Sequence, residues 1–167
     1  MAHNASVKTV QYGNTSLLHG AIAGFVGTLP MTIFMLVMHR VLPKWQQYAL
    51  PPEEITDELE DRADIDKYMD KKQHFGVALV SHFGYGAAMG VLYNFLAKRA
   101  SLPVPAVLKG AVFGVAVWAW SYLGWLPAME FSAAATDEPL RRNILMIAAH
   151  VVWGSVTALV ADFLEHQ

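Results

Sequence analysis

Two histidines stand out because they lie inside apolar stretches, where a titratable side chain needs a partner. His82 belongs to the stretch from Phe75 to Ala97, and His150 belongs to the stretch from Asn143 to Leu164. An imidazole can form hydrogen bonds, bind a metal ion, or change its charge between pH 5 and 8. The two histidines are therefore the first candidates for a functional site.

Methionines accompany two of the histidines at helical spacing. Met35 precedes His39 by four positions and Met146 precedes His150 by four, so each pair shares one face of a helix. Imidazole together with thioether suits copper, above all Cu(I). Two histidines at one depth could instead hold a b-type haem. The pattern thus indicates a haem or metal site at His82 and His150, with His39, Met35 and Met146 as further metal ligands.

Two other interpretations of the histidines stay open beside the cofactor site. An intramembrane histidine also donates hydrogen bonds across helix interfaces, and Ser81, Tyr85, Tyr122 and Ser155 are suitable partners. Methionine is common filler in apolar packing. Because the ordinary pKa of histidine is about 6.5, a proton-linked or pH-sensing role is the third interpretation.

Long apolar stretches must position these side chains. Hydrophobic residues make up 54% of the chain and charged residues 16%, against a usual charged share of about 25%. A helix rises about 1.5 Å per residue and the hydrocarbon core of a bilayer is about 30 Å thick. The pattern predicts an all-α membrane protein with four transmembrane helices in a bundle, at residues 17–42, 75–97, 106–129 and 143–164.

The predicted topology brings the two histidines to the same depth. Segments two and four run in the same direction, because two crossings separate them. His82 and His150 each lie about two helical turns from the start of their segment, roughly 10–12 Å into the bundle. Equal depth does not determine whether the two rings face each other.

Small residues recur at a spacing that lets two helix backbones approach closely. Pro30 lies in the first segment, where it is expected to kink the helix. The small-residue faces are expected to pack within the bundle, in a homo-oligomer or against a larger membrane complex. The predicted packing positions are Gly20, Gly24, Gly86, Gly90, Gly110, Gly114 and Gly154.

Polar segments flank the first apolar stretch. Residues 1–16 form a polar N-terminal tail, and residues 43–73 form a hydrophilic insert. Pro51 and Pro52 suit the start of a short acidic amphipathic helix, whose apolar stripe includes Ile55 and Leu59. Lysine and arginine are more frequent on the side of this insert, which predicts that the insert is cytoplasmic.

Other functional classes have little support. The chain has no cysteine, which excludes thiolate chemistry, and its net charge of −2 offers no basic patch for nucleic acid. No catalytic motif or nucleophile–base pair is present, so we expect no enzyme. A small transporter is less favoured, because four crossings leave little room for alternating access without oligomerisation.

Four stretches carry a resemblance to a known family. The chain resembles the YagU-like bacterial inner-membrane proteins, a family of unknown function, in GAIAGFVGTLPMT (20–32), LPPEEIT (50–56), HFGYGAAMG (82–90) and RRNILMIAAHVVWG (141–154). The resemblance implies four helices in a bacterial inner membrane, with recurrent histidines at His82 and at His150 before Trp153. It supplies no reaction or ligand.

The combined prediction is a non-enzymatic integral membrane protein, either an accessory or structural subunit or a pH-responsive protein. The alternative is a redox or metal-handling protein that binds haem or copper through His82 and His150. Expected partners are the lipid bilayer and either a homo-oligomer or a larger membrane complex. If the protein is an accessory or structural subunit, we expect both histidines to tolerate replacement by asparagine with little loss of folding.

Overall fold

The computed structural model describes residues 2–43, 51–63, 71–100 and 103–167, and this part of the chain is helical with no strand. A π-helical turn, Ser121–Trp125, joins the fourth and fifth helices. The helices are α1 (Ala2–Val41), α2 (Pro51–Ala63), α3 (Lys71–Arg99), α4 (Ala106–Trp120), α5 (Leu126–Ala128) and α6 (Leu140–Glu165).

Within the described residues, four segments are long and apolar enough to cross a membrane. They are Ser16–Arg40, Lys72–Arg99, Ala106–Ala128 and Leu140–Glu165. Their outer faces remain apolar, with Val80 75% exposed and Val112 62% exposed. Helices that are apolar on all sides are typical of membrane spans. The predicted all-α architecture is confirmed, including the short helix between the first two spans.

The bundle is built around α1 and α6. These two helices pack against each other, α3 packs on α1, and α4 packs on α6, whereas α3 and α4 contact each other only slightly. The short helix α2 packs on α3. This arrangement leaves a space between α3 and α4 at the end of the bundle that α2 covers.

The first helix is longer than its membrane span. It begins at Ala2, so polar residues predicted as a tail continue its backbone, while the span begins at Ser16. The helix runs through Pro30. Near this proline, the hydroxyl of Thr28 donates to the carbonyl of Gly24 over 2.8 Å, and that of Thr32 donates to the carbonyl of Thr28 over 2.8 Å. The kink predicted at Pro30 stays a prediction.

The third span is not one regular helix. Its helical hydrogen bonding widens at Ser121–Trp125, where Gly124 has non-helical dihedral angles of φ −116° and ψ −106°. Such π-helical turns are rare and are frequently found at functional sites. Here the turn carries side chains that line the space beneath α2.

Candidate functional site

A cavity of about 240 Å³ lies between α1, α3, α4 and α6 and is covered by α2. Its walls are mainly aliphatic, thioether and aromatic side chains, and none of the described lining residues is Asp, Glu, Lys or Arg. The bulkier lining side chains are Met31, Met35, Met89, Val117, Leu126, Trp125 and Trp153.

The two predicted histidines both line this cavity. The Nε2 atom of His82 is buried and has no hydrogen-bond partner within the described part of the chain. His150 is only 6% exposed, and its Nδ1 lies 2.8 Å from the carbonyl oxygen of Met146. Because a carbonyl only accepts, Nδ1 donates, which leaves Nε2 of the neutral ring with a lone pair. The structure therefore brings both imidazoles to one apolar space.

One of the hydroxyl side chains that were expected to pair with a histidine has a different partner. The Tyr85 hydroxyl is bonded to Ser121 Oγ over 3.0 Å, not to a histidine. Tyr122 packs edge-on against the His150 ring, with ring centroids 5.9 Å apart and an interplanar angle of 90°. Ser81 also lines the cavity. Because Ser121 and Tyr122 belong to the π-helical turn, the irregular part of the third span faces the histidines.

The additional ligands proposed for a metal are only partly brought together. Met35 is 3% exposed and lines the cavity beside His82 and His150. Met146 belongs to the same buried cluster as Met35 but is not among the described lining residues, and its carbonyl accepts the hydrogen bond from His150. His39 is not among the described lining residues. Across the described ranges, no group of three or more His, Cys, Asp or Glu side chains could hold a metal ion.

The cover of the cavity is the apolar face of α2. Pro52, Ile55 and Leu59 line the cavity, as the predicted apolar stripe on this helix implies. A polar contact ties α2 to α3, because His74 Nε2 lies 2.8 Å from Asp57 Oδ1, and this contact is an ion pair when His74 is protonated. Sequence analysis missed this pair, since nothing in the spacing of the two residues indicates that their helices meet.

Glycine packing sets the distance between α1 and α3, and one of these glycines, Gly86, also lines the cavity. A Cβ atom added at Gly24 would overlap the carbonyl oxygen of Gly86, and one added at Gly20 would lie 2.8 Å from the carbonyl oxygen of Gly90. Real Cβ atoms essentially never approach another atom so closely. The two backbones are therefore in direct contact along this face.

Glycines set the distance between α4 and α6 in the same way. A Cβ at Gly110 would overlap the carbonyl oxygen of Gly154, and a Cβ at Gly114 would overlap that of His150. The second contact positions His150 directly, because it fixes the backbone of that residue against α4. Sequence analysis proposed these glycines for helix packing without identifying which pairs meet.

Trp153 connects the glycine contacts with the cavity. Its indole Nε1 donates to the carbonyl oxygen of Gly24 over 3.2 Å, which links α6 to α1. The side chain is 3% exposed and also lines the cavity. Gly24 thus accepts side-chain hydrogen bonds from both Thr28 and Trp153. Only the family resemblance pointed to Trp153; its spacing gave no signal.

A polar cluster, which sequence analysis did not predict, ties the opposite end of the bundle. Glu165 Oε2 lies 2.8 Å from Lys98 Nζ, and Glu165 Oε1 lies 3.6 Å from His19 Nδ1. Asn94 donates to Glu165 Oε1 over 3.1 Å and to the Ser16 carbonyl over 2.7 Å. This cluster joins α1, α3 and α6, and its carboxylate has a cationic partner.

Four apolar spans around a histidine-lined cavity define a multi-pass helical membrane protein. A family model described as "protein of unknown function (DUF1440)" matches residues 32–159, and the chain belongs to this family. The matched range includes both cavity histidines. No curated protein and no solved structure matches the chain.

Proposed function

We propose that this chain is a non-enzymatic membrane protein that responds to pH through His82 and His150. The observation that carries the proposal is that both imidazoles line one apolar cavity, whose described lining contains no carboxylate. We also propose, from the sequence, that the protein is YagU-like, lies in a bacterial inner membrane and places α2 on the cytoplasmic side.

The physical basis is the energy of a charge in an apolar space. Neutral imidazoles are compatible with the cavity, but a protonated ring would be a buried cation without a partner, and two protonated rings would repel each other. Among the described lining residues, the other titratable groups are the phenols of Tyr85 and Tyr122. Neither phenol supplies negative charge at neutral or acidic pH. Acidification should therefore favour an arrangement in which water reaches the rings.

The element best placed to move is α2. It covers the cavity through the apolar side chains of Pro52, Ile55 and Leu59, and the His74–Asp57 pair ties it to α3. The His74–Asp57 contact opposes this movement on acidification. It is strongest when His74 is protonated and Asp57 is ionised. We propose that charging His82 and His150 shifts α2 away from the cavity mouth.

The protein would act on other components as an accessory or structural subunit. The predicted glycine faces pack within one chain in the structure. Contacts with a second copy or a larger complex would then use outer apolar faces, such as those that include Val80 and Val112. Movement of α2 at the membrane surface gives such a complex a signal that depends on pH.

Tryptophan fluorescence in lipid nanodiscs tests the proposal, because Trp125 and Trp153 line the cavity. We expect emission to move to longer wavelength as the pH falls from 7.5 to 5, since water enters. The double variant His82→Asn/His150→Asn should remove this change, and asparagine at 150 still offers an amide to the Met146 carbonyl. The matched control is His166→Asn, because the His166 side chain is 76% exposed. An unchanged response in the double variant contradicts the proposal.

One observation favours copper handling as a second candidate. The thioethers of Met31, Met35 and Met89 line the same cavity as His82 and His150, and Cu(I) is bound well by thioether and imidazole ligands. This candidate requires stoichiometric copper that is lost in His82→Ala and in His150→Ala. A haem is too large for this cavity. Drug-sized ligands, which are smaller than a haem, occupy pockets of about 300–1,000 Å³, whereas this cavity has a volume of about 240 Å³.

A further inference from the structure

We infer that the cavity binds a small, uncharged aromatic molecule that carries one hydroxyl group, of the phenol class, through His82. The site uses the cavity to which the pH response is assigned, but binding at neutral pH does not depend on that response. The inference is based on the volume of the cavity, the chemistry of its walls and one unpaired polar atom.

The volume and walls select for size and shape. An apolar cavity of about 150 Å³ in another protein holds benzene. The present cavity of about 240 Å³ therefore has room for one benzene ring with one or two small substituents. Trp125 and Trp153 offer aromatic surfaces, and Met31 and Met35 are adaptable neighbours for a planar ring.

The histidines determine which polar group the ligand must carry. His82 Nε2 is a buried ring nitrogen without a hydrogen-bond partner in the described part of the chain, and an unpaired buried polar atom is destabilising. A ligand hydroxyl can donate to this nitrogen or accept from it, whichever tautomer the ring adopts. Nε2 of His150, which keeps its lone pair because Nδ1 donates to Met146, offers the hydroxyl a second acceptor.

The same features disfavour other occupants. A charged ligand would find no counter-ion among the described lining residues. A lipid acyl chain would match the apolar walls but leave His82 Nε2 unpaired. A water molecule paired with His82 Nε2 would leave the apolar part of the cavity unfilled, because buried water needs two to four polar partners. The ring of a phenol fills the apolar part of the cavity, and its hydroxyl pairs with His82 Nε2.

The test uses the full chain in lipid nanodiscs at pH 7.5, with fluorine NMR of three ligands of similar shape. The probes are 4-fluorophenol, fluorobenzene, which lacks the hydroxyl, and 4-fluorobenzoate, which carries a charge. Empty nanodiscs and displacement by 4-methylphenol separate binding to the protein from partition into lipid. We expect saturable, displaceable binding of 4-fluorophenol. Fluorobenzene should bind about tenfold more weakly, the effect of one hydrogen bond, and 4-fluorobenzoate should show no saturable binding.

Variants assign the hydroxyl contact to His82. His82→Phe keeps a ring but removes the nitrogen, so 4-fluorophenol should bind no better than fluorobenzene. His82→Gln places an amide near the Nε2 position and should retain most of the affinity. The matched control is Val112→Phe, at a residue that is 62% exposed on α4, which should bind as the wild type does.

The outcomes separate the alternatives. Binding that cannot be displaced, or that equals partition into empty nanodiscs, overturns the inference. Equal affinity for 4-fluorophenol and fluorobenzene also overturns it and leaves a purely apolar space. The three-ligand comparison needs only the wild-type protein, so it decides the matter even if His82→Phe fails to fold. Because the pH is constant, failure of the pH response leaves these results unaffected.

Discussion

The two ends of the bundle use the same helices in opposite ways. Toward the chain termini, backbones touch at Gly20 and Gly90 between α1 and α3. Toward α2, the same two helices present Met35 and His82 to a cavity. Glycines allow backbone contact between α1 and α3 at one end, whereas larger side chains border a cavity a few turns away. We call these the closed and the open end of the bundle. We assign the function to the open end because its cavity lies beside two titratable groups, His82 and His150.

The two ends also treat charge differently. At the terminal end, the Glu165 carboxylate is matched by Lys98 and by the Asn94 amide. At the cavity end, His82 and His150 face apolar walls with no carboxylate in the described lining. A charge at the terminal end is therefore stabilised in place, whereas a charge at the cavity end has no counter-ion among the described lining residues. This contrast leads to four predictions, ordered by the size of the expected effect.

The largest effect is expected where the backbones touch. Gly24→Leu should lower the free energy of unfolding by about 3 kcal/mol, because the new side chain collides with the backbone of α3 and helices cannot shift without losing other contacts. Unfolding by SDS in mixed micelles measures this. Gly84→Leu is the matched control, since a Cβ there meets nothing within 4 Å. Equal destabilisation by both changes would mean that the glycine contact does not hold the bundle together.

A smaller effect is expected at the junction between the two ends. Trp153→Phe removes the indole donor to the Gly24 carbonyl and leaves space in the core, which should lower the unfolding free energy by about 1–2 kcal/mol. Trp120→Phe is the control, because Trp120 is 66% exposed. The same SDS titration applies. If Trp120→Phe proved as harmful as Trp153→Phe, the link from α6 to α1 would not be a major source of stability.

The polar cluster at the terminal end should contribute less. Glu165→Gln removes the charge opposite Lys98, and because the pair is partly exposed we expect a loss of about 0.5–1 kcal/mol. The loss should shrink in high salt, since salt screens exposed ion pairs. Asp162→Asn, in the last turns of the same helix, is the comparison variant. If the loss of unfolding free energy did not depend on salt, hydrogen bonding rather than charge would account for the contribution of Glu165.

The smallest effect on global stability is expected at the cover of the cavity. Asp57→Asn weakens the tie to His74, so α2 should separate from α3 about two- to threefold more often, in keeping with an exposed ion pair. The chain has no cysteine, so a single Thr56→Cys change introduces a probe at a residue that is 0% exposed. Faster maleimide labelling in the Asp57→Asn background is the predicted result. Unchanged labelling would show that apolar contacts alone hold α2.

The architecture could be predicted because apolar length is a local property of the sequence. The four spans follow from long apolar stretches with few charged side chains, and the confirmed fold class depends on these stretches. Counting turns predicted that His82 and His150 lie at equal depth, and both line one cavity. Whether they face one space depended on helix rotation, which the backbone contacts of Gly24 and Gly114 determine in three dimensions.

Other features of the structure could not be predicted from neighbouring residues in the sequence. Met35 and Met146 have the same spacing to a histidine and belong to the same buried cluster, yet only Met35 is among the described residues that line the cavity. Spacing of four identifies a shared helix face but does not reveal what that face contacts. The π-helical turn at Ser121–Trp125 was also missed, since its residues are compatible with a regular apolar helix. The tie between Glu165 and Lys98 joins residues far apart in the chain.

Hydrogen exchange measured by mass spectrometry in nanodiscs, at pH 7.5 and at pH 5.5 with correction for intrinsic rates, tests the central claim most directly. We predict that acidification increases exchange in α2 and in the parts of α3 and α6 around His82 and His150. The glycine contacts around Gly20 and Gly90 should stay unchanged. The double variant His82→Asn/His150→Asn should lose the increase. An increase spread evenly over the chain, or one retained in the double variant, would contradict the account.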